Sequence, residues 1–330
     1  YFPVRDAAGT LLPAIVAVAN VDSPRPAQVR AGFERVLRAR LADARYFWDT
    51  DCAQPLADRT AALGQVTFAA GLGTLADKTV RVAALAADLA PALHADAAVA
   101  ARAAQLAKAD LLTAMVGEFP ELQGVMGEAY ARHDGEPDAV ALALREQYLP
   151  RFAGDALPAS PAGSVLALAD RLDTLCGIFA IGQTPTGERD PFGLRRAALG
   201  VARILIEGRA RLDLPALLAA HAARYPGDAA ALPAQVYAYV QDRLPAWYAA
   251  QDIPADVVDA VRAGGFADLG GMDARVRALT ALRARPEAAS LAAAHKRATN
   301  LLSQAGADGA AAVDPARFEH GAEGALHDAI

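Results

Sequence analysis

A mainly α, multidomain protein with the end of a small α/β domain at its start is the fold class that this 330-residue sequence predicts. Three observations predict it. The residues are 54% hydrophobic and only 6% aromatic, with Ala and Leu dominating, a composition rich in helix formers. Apolar residues recur at helical spacing along most of the chain, punctuated by Pro and Gly. Strand-like runs are confined to the beginning, and the length exceeds that of a usual single domain.

The elements follow in order. Tyr1-Phe-Pro-Val-Arg-Asp6 and the run Leu11 to Val21 flank the turn Ala7-Ala-Gly-Thr10 and read as a β-hairpin. Ser23-Pro-Arg-Pro26 breaks that pattern. Val29, Phe33, Val36, Leu37 and Leu41 then mark one face of a helix over 27–48, while Arg30, Glu34, Arg38, Arg45 and Asp49 read as its solvated charged face. From Leu63 to Ile181 the pattern is helical, broken at Gly71, Pro91, Pro120, the polar loop His133-Asp-Gly-Glu-Pro137 and the stretch 150–163. Asp190-Pro191 predicts a cap, with proline opening a helix that runs from Phe192 to Glu207 and stops at Gly208. Further helices are expected over 213–223 with Asp213 as cap, and over 234–250, 256–263, 272–282 and 291–303, followed by a Gly/Ala/Asp-rich loop over 305–313. The expected units are 1–50, an α/β remnant; 51–190, an all-helical domain; 191–290, a helical body; and 291–330, the start of another helical domain. No internal repeat is visible.

The formal charge of −6 argues against a surface that clings to nucleic acid everywhere, while leaving a local basic face open. Lysine occurs only at 78, 108 and 296 among abundant arginines, which fits a coding bias and also fits bidentate phosphate contact. Cys52 and Cys176 stand far apart without a C-x-x-C pattern, so neither a zinc site nor a disulfide framework is indicated. No apolar run is long enough to span a membrane and no leader pattern opens the chain, so no membrane partner and a cytoplasmic location are expected. The chain opens inside an expected strand and closes at Ile330 inside an expected helix, which reads as a fragment of something longer.

Three short segments carry chemistry. Lys78-Thr-Val-Arg-Val-Ala83, Ala109-Asp110 and Ala169-Asp-Arg-Leu172 resemble, in order, the three metal-binding helices of the phosphohydrolase superfamily named for its His-Asp motif. In that superfamily the resemblance implies imidazoles and carboxylates around a divalent metal that activates water. Here Lys78 and Ala109 stand where two imidazoles belong and only the carboxylates Asp110 and Asp170 remain, so Lys78, Ala109, Asp110 and Asp170 are the four vestigial positions. A pair of Lys78 with Asp110 or Asp170 is the expected way to satisfy the charge. The literal His133-Asp134 lies in the expected surface loop and reads as a decoy.

The longer segments carry a second resemblance. Arg35-Val-Leu-Arg-Ala-Arg-Leu-Ala-Asp-Ala44, Leu72-Gly-Thr-Leu-Ala-Asp-Lys-Thr79, Met115-Val-Gly-Glu-Phe-Pro-Glu-Leu-Gln-Gly124, Tyr148-Leu-Pro-Arg-Phe152, Ala169-Asp-Arg-Leu-Asp-Thr-Leu175, Gly182-Gln-Thr-Pro-Thr-Gly187 and Asp190-Pro-Phe-Gly-Leu-Arg-Arg-Ala-Ala-Leu199 resemble, in this order, the β subunit of bacterial heterotetrameric glycyl-tRNA synthetase. Phe33, Ala180, Glu188-Arg189 and His295 depart from its usual residues. The resemblance implies an HD-like domain, a helical body and a C-terminal anticodon-binding domain, which this chain would cut short. It implies a division of labour in which an α subunit activates glycine with ATP and Mg²⁺, and this chain binds tRNA-Gly in an α2β2 assembly, with no bound cofactor and no catalysis of its own. No P-loop, zinc spacing or nucleophile–base pattern contradicts this.

Candidate tRNA contacts are then sought among the basic residues. Arg195 and Arg196 open a helix whose terminus presents backbone N–H groups, a sound phosphate site that Asp190 would partly occupy. Arg189 lies in the polar loop before them. Arg35 and Arg38 lie within two turns of the first helix, and Lys296 and Arg297 begin the last unit. For each, a solvated helix face or an interdomain ion pair is the alternative. Two other functions stay open: a metal-dependent phosphohydrolase resting on Asp110 and Asp170, and a helical scaffold that binds only protein.

Overall fold

The computed structural model describes residues 1–187, 189–305 and 314–329. Two short strands, β1 (Phe2–Arg5) and β2 (Leu11–Val16), pair antiparallel. The turn between them is closed by Asp6, whose Oδ1 accepts from the amides of Ala8 and Thr10 at 2.9 and 2.8 Å. Pro26 opens α1 (Pro26–Asp51) at a position where its missing N–H costs nothing. A groove of about 1150 Å³ lies between β2 and α1, floored by Leu12, Ile15, Phe33 and Leu37. Leu11, Val16 and Leu41 on its rim are more than half exposed.

Beyond α2 (Leu56–Arg59), a two-stranded ribbon of β3 (Thr67–Ala69) and β4 (Gly73–Thr74) interrupts what sequence periodicity reads as continuous helix. Then follow α3 (Leu75–Ala92), α4 (Ala97–Leu106), α5 (Ala114–Glu118), α6 (Val125–His133), α7 (Asp138–Glu146) and α8 (Pro161–Ala180). Thr74 and Asp77 close α3 with a reciprocal capping box. The expected loop at His133 begins one residue later, because α6 runs through His133. The imidazole is nonetheless exposed, and Asp134 reaches back to accept from the Leu56 amide at 2.8 Å.

Six further helices follow: α9 (Leu194–Glu207), α10 (Leu214–His221), α11 (Leu232–Gln241), α12 (Leu244–Ala249), α13 (Ala255–Arg262) and α14 (Leu269–Arg283). The expected helix over 234–250 is two helices. Pro245 lacks an amide to donate to Gln241 and its ring crowds that carbonyl, so α11 ends at Gln241 and α12 restarts with the proline in its first turn. Two outer helices, α15 (Ala288–Ala305) and α16 (Gly321–Ala329), complete the described chain. Most of the expected 305–313 loop, from 306 onward, and Ile330 lie outside the described residues.

One apolar core runs from Leu56 to Val276. Its axis is α8, which packs on α3, α4 and α7 at one side and on α9 and α11 at the other. No described helix is long and apolar enough to cross a membrane.

Candidate functional site

Of the four positions that the sequence suggests as vestigial, Lys78 meets Asp170 at α8. Lys78, on the buried face of α3, sends its ammonium between the two carboxylates of α8, 3.1 Å from Asp170 Oδ1 and 3.0 Å from Asp173 Oδ2. Its hydrogens go to Asp173, to the Asp170 carbonyl at 3.1 Å and to Thr174 Oγ1 at 2.9 Å, and Phe68 lies beneath it at 4.6 Å. Burial pulls the Lys78 pKa down, but the two carboxylates outweigh it and hold the ammonium above the usual lysine value. Asp173, fully buried, also accepts from Arg81 Nε at 2.6 Å and from the Tyr225 hydroxyl at 3.1 Å.

A second lysine, unassigned by sequence reasoning, completes the cluster. Lys108 links α4 to the following 3-10 turn in a left-handed conformation (φ 67°), which turns its side chain inward. Its Nζ lies 3.1 Å from Asp170 Oδ2 and 4.2 Å from the centre of the Tyr148 ring. Burial lowers its pKa, with Asp170 opposing and the like charge of Lys78 assisting. Burial disfavours the charged form of Asp170 as well, yet Lys108, Lys78 and Arg171 together hold its pKa far below the usual value.

The two remaining vestigial positions are quiet. Ala109 is fully buried and brings no polar group. Asp110 does not pair with Lys78; its Oδ2 accepts from the Gly124 amide at 2.6 Å, and burial raises its pKa. The pairing expected of Lys78 is therefore made with Asp170, and with Asp173 in place of Asp110. Two ammoniums already take the two oxygens of Asp170. The donor set does not fit a metal, and among the described residues no three His, Cys, Asp or Glu side chains are grouped to hold one.

Arg171, the neighbour of Asp170, is buried and makes a carbonyl cage. Its Nη1 donates to Gln147 and Ala167, and its Nη2 to Tyr148 and Pro150, at 2.8–3.0 Å. Among the described residues no carboxylate binds it directly, and burial lowers its pKa to about 10. The signal for this was a lone arginine between the buried residues Ala169 and Leu172 of one helix.

The other sequence-predicted residues fall into three places. At α9, Asp190 caps the helix from outside: its carboxylate accepts from the amides of Leu194 and Arg195 at 2.8 and 3.0 Å, with Gly193 as the residue before the first turn. The helix therefore starts two residues later than expected, and a carboxylate already takes its first amides. What this terminus keeps is its guanidiniums. Arg195 donates to the Gly187 carbonyl, and Arg196 is exposed with no carboxylate partner among the described residues. Arg189 is exposed in a bridge with Thr186. Arg35 and Arg38 are exposed on α1, which packs on α5, whereas Lys296 and Arg297 are exposed on α15, against α14. The three groups sit on separate elements.

Two clefts meet at Arg196. The first, about 710 Å³, opens over Asp170 and Arg171 between the 145–156 segment and the start of α9. The second, about 860 Å³, lies between α9 and the α11–α12 corner, and carries Arg195, Arg243 and Arg277 with Trp247. Together they present eight arginines against the five carboxylates of Glu121, Asp155, Asp170, Glu207 and Asp242. In a chain of net charge −6 this is a local basic crease.

Comparison with known proteins agrees with the residue pattern. The model of the family described as glycyl-tRNA synthetase beta subunit matches residues 1–263. A glycine–tRNA ligase beta subunit of Chromohalobacter salexigens is 51% identical over the whole of this chain and 48% of its own length. That of Ectopseudomonas mendocina is 49% identical over the whole chain and 48% of its own length, and that of Sodalis glossinidius 51% identical over 92% of the chain and 44% of its own length. The chain thus spans about half the length of the curated relatives it matches. With the vestigial cluster and the ordered segments in place, the chain belongs to the glycyl-tRNA synthetase beta subunit family.

Proposed function

We propose that this chain is the part of a glycyl-tRNA synthetase β subunit that holds tRNA-Gly while an α subunit carries out glycylation with ATP and Mg²⁺. The observation that carries this reading is the basic crease at Arg195 and Arg196, in a chain of this family whose hydrolase-like site is filled by its own lysines. In that site Lys78 and Lys108 take the charge of Asp170, so it offers no Lewis acid and no activated water. A phosphohydrolase reading loses its ligands there. An α2β2 assembly in the cytoplasm, with no cofactor bound by this chain, completes the proposal. So does the division into units at 1–50, 51–190, 191–290 and 291–330.

The test is reconstitution. Glycyl-tRNA formation is measured with the purified α subunit alone, with the full-length β chain, and with a β chain carrying Arg195→Glu and Arg196→Glu. Dependence on the β chain, with tRNA affinity reduced about tenfold or more by the double substitution, is expected. Glycylation by the α subunit alone at an unchanged rate would reject the role. Unchanged affinity in the variant would reject the mapping to α9.

A further inference from the structure

The two clefts joined at Arg196 have features that a plain phosphate patch lacks. Each has the volume of a ligand pocket, not of a duplex-binding face. Each also has a partly buried aromatic side chain in its wall, Phe192 and Tyr148 in the first and Trp247 in the second. Trp247 is held edge-on against Tyr248 at 4.8 Å, which fixes the plane of its indole. Polar atoms in these residues are buried without a hydrogen-bond partner among the described residues: Gln147 Oε1, an acceptor, and the Tyr148 hydroxyl in the first, beside Asp170 Oδ1, which only faces the Lys78 ammonium, and Arg243 Nε, a donor, in the second. Gln147 is only 1% exposed, and its amide nitrogen is already committed to the Leu144 carbonyl at 2.8 Å.

The charge beneath the first cleft is unbalanced in the same sense. Lys78, Lys108, Arg81 and Arg171 face three carboxylates, Asp110, Asp170 and Asp173. Asp170 and Arg171 line the cleft floor, so the excess is felt there. Arg145 and Arg151 on the rim are engaged with Glu128 and Asp155, and Glu121 opposes them. Arg196, at the junction, is free of such a partner among the described residues.

Duplex RNA is held across a wide, shallow groove by its outer shape, whereas unpaired RNA offers splayed bases that stack on aromatic or guanidinium planes and expose their hydrogen-bonding edges. The combination in both clefts of an aromatic wall, an unpartnered polar atom and arginines matches the second. We infer that the crease is a track for an unpaired stretch of RNA, which passes from one cleft to the other with a phosphate on Arg196 and a base against the aromatic wall of each. This inference rests on the RNA-holding role proposed above and narrows it to a single strand.

The experiment uses the full-length β chain and a labelled single-stranded hexaribonucleotide. The competitors are a hairpin of the same length in duplex form, a nucleoside monophosphate and an acidic peptide. Ala156 and Ala246 are exposed residues lining the first and second cleft, and Ala101 is exposed on α4 outside both. Ala156→Glu and Ala246→Glu place one negative charge in each cleft, and Ala101→Glu is the charge-matched control. Thermal unfolding of each variant confirms its fold. The strand is expected to bind at least tenfold tighter than the hairpin and the monophosphate, with either cleft variant weakening it about tenfold and the control by less than twofold. Equal competition by the hairpin, the monophosphate or the acidic peptide would overturn the inference, as would cleft variants that match the control. Binding of intact tRNA-Gly is measured alongside: if it persists while the strand does not bind, the track fails and the tRNA-holding role stands. If neither binds, both fail.

Discussion

Asp170 is the residue on which two buried lysines depend, because each of its oxygens faces a different ammonium. Replacing it by Asn leaves Lys78 with Asp173 alone and Lys108 with no carboxylate at 3 Å. Asp170→Asn is expected to cost about 3–5 kcal/mol in denaturant unfolding, the usual range for breaking a buried pair from one side. The acid limb of stability carries a second signature. The folded-state pKa of Asp170 is depressed, so its contribution is complete above the unfolded value of 3.8 and is lost as pH falls from there through the folded pKa. Asp110 runs the other way: its raised folded pKa makes its charge a burden at neutral pH that acid relieves. Asp170→Asn should therefore be less stable at neutral pH yet lose less on acidification below about 4 than the unaltered chain. Lys108 adds a backbone component. At φ 67° an L side chain is strained by roughly 1–2 kcal/mol, so Lys108→Gly should be less damaging than Lys108→Ala by about 1 kcal/mol although both lose the ion pair. Equal losses would mean that the left-handed turn relaxes. The sequence showed the lysine at 78 and its acidic partner on α8. It did not show Lys108, because helical periodicity sorts apolar from polar and is blind to a single left-handed residue whose own side chain is turned inward.

At the scale of elements, the seam between α8 and α9 is where the vestigial site is joined to the helices that follow. Arg171 of α8 lies in that seam, its guanidinium held by the carbonyls of Gln147, Ala167, Tyr148 and Pro150, and Gly200 of α9 gives it room: a Cβ there would lie 2.6 Å from Arg171 Nε and 3.0 Å from its Cδ. Gly200→Ala gains helix propensity of about 1 kcal/mol but must displace a buried guanidinium from a full set of acceptors. The net expectation is destabilisation by about 1–3 kcal/mol, the range of an overpacked core, read as a lowered unfolding midpoint. A neutral or stabilised variant would show that Arg171 is not held by the cage. Most helices here were legible, since their 3.6-residue apolar period and their caps, such as Asp213 before α10, are local. The misread borders have local chemistry of another kind. The start of α9 moved because Asp190 caps across an intervening Pro-Phe-Gly turn, and 234–250 split because one proline outweighs a continuous apolar face. The β3–β4 ribbon was missed because strands of three and two residues are too short to show alternation.

For the whole molecule, the proposed RNA-holding role asks how a chain of net charge −6 would bind a polyanion. The family resemblance was legible because long segments lay in order, whereas the basic crease was not, since its arginines come from α7 through α14 and only folding gathers them. Sequence placed Arg195 and Arg196 as neighbours. It had no means of bringing Arg145, Arg243 and Arg277 to the same crease. With a net charge of −6 overall, affinity should rest on few contacts and show a modest salt slope. Each phosphate contact on single-stranded RNA contributes about 0.7 to the slope of log affinity against log salt. Arg195→Gln together with Arg196→Gln should therefore lower the slope for tRNA-Gly by roughly 1.4 if both reach phosphates. Arg35→Gln with Arg38→Gln on α1, and Lys296→Gln with Arg297→Gln on α15, are matched charge losses on exposed helix faces outside the crease, Arg38 standing instead at the apolar groove between β2 and α1. Their slopes should change by less than about half as much. If the three pairs lowered the slope equally, the RNA would lie across the whole length of the chain instead of in the crease. The concave wall would then have no special role in holding it.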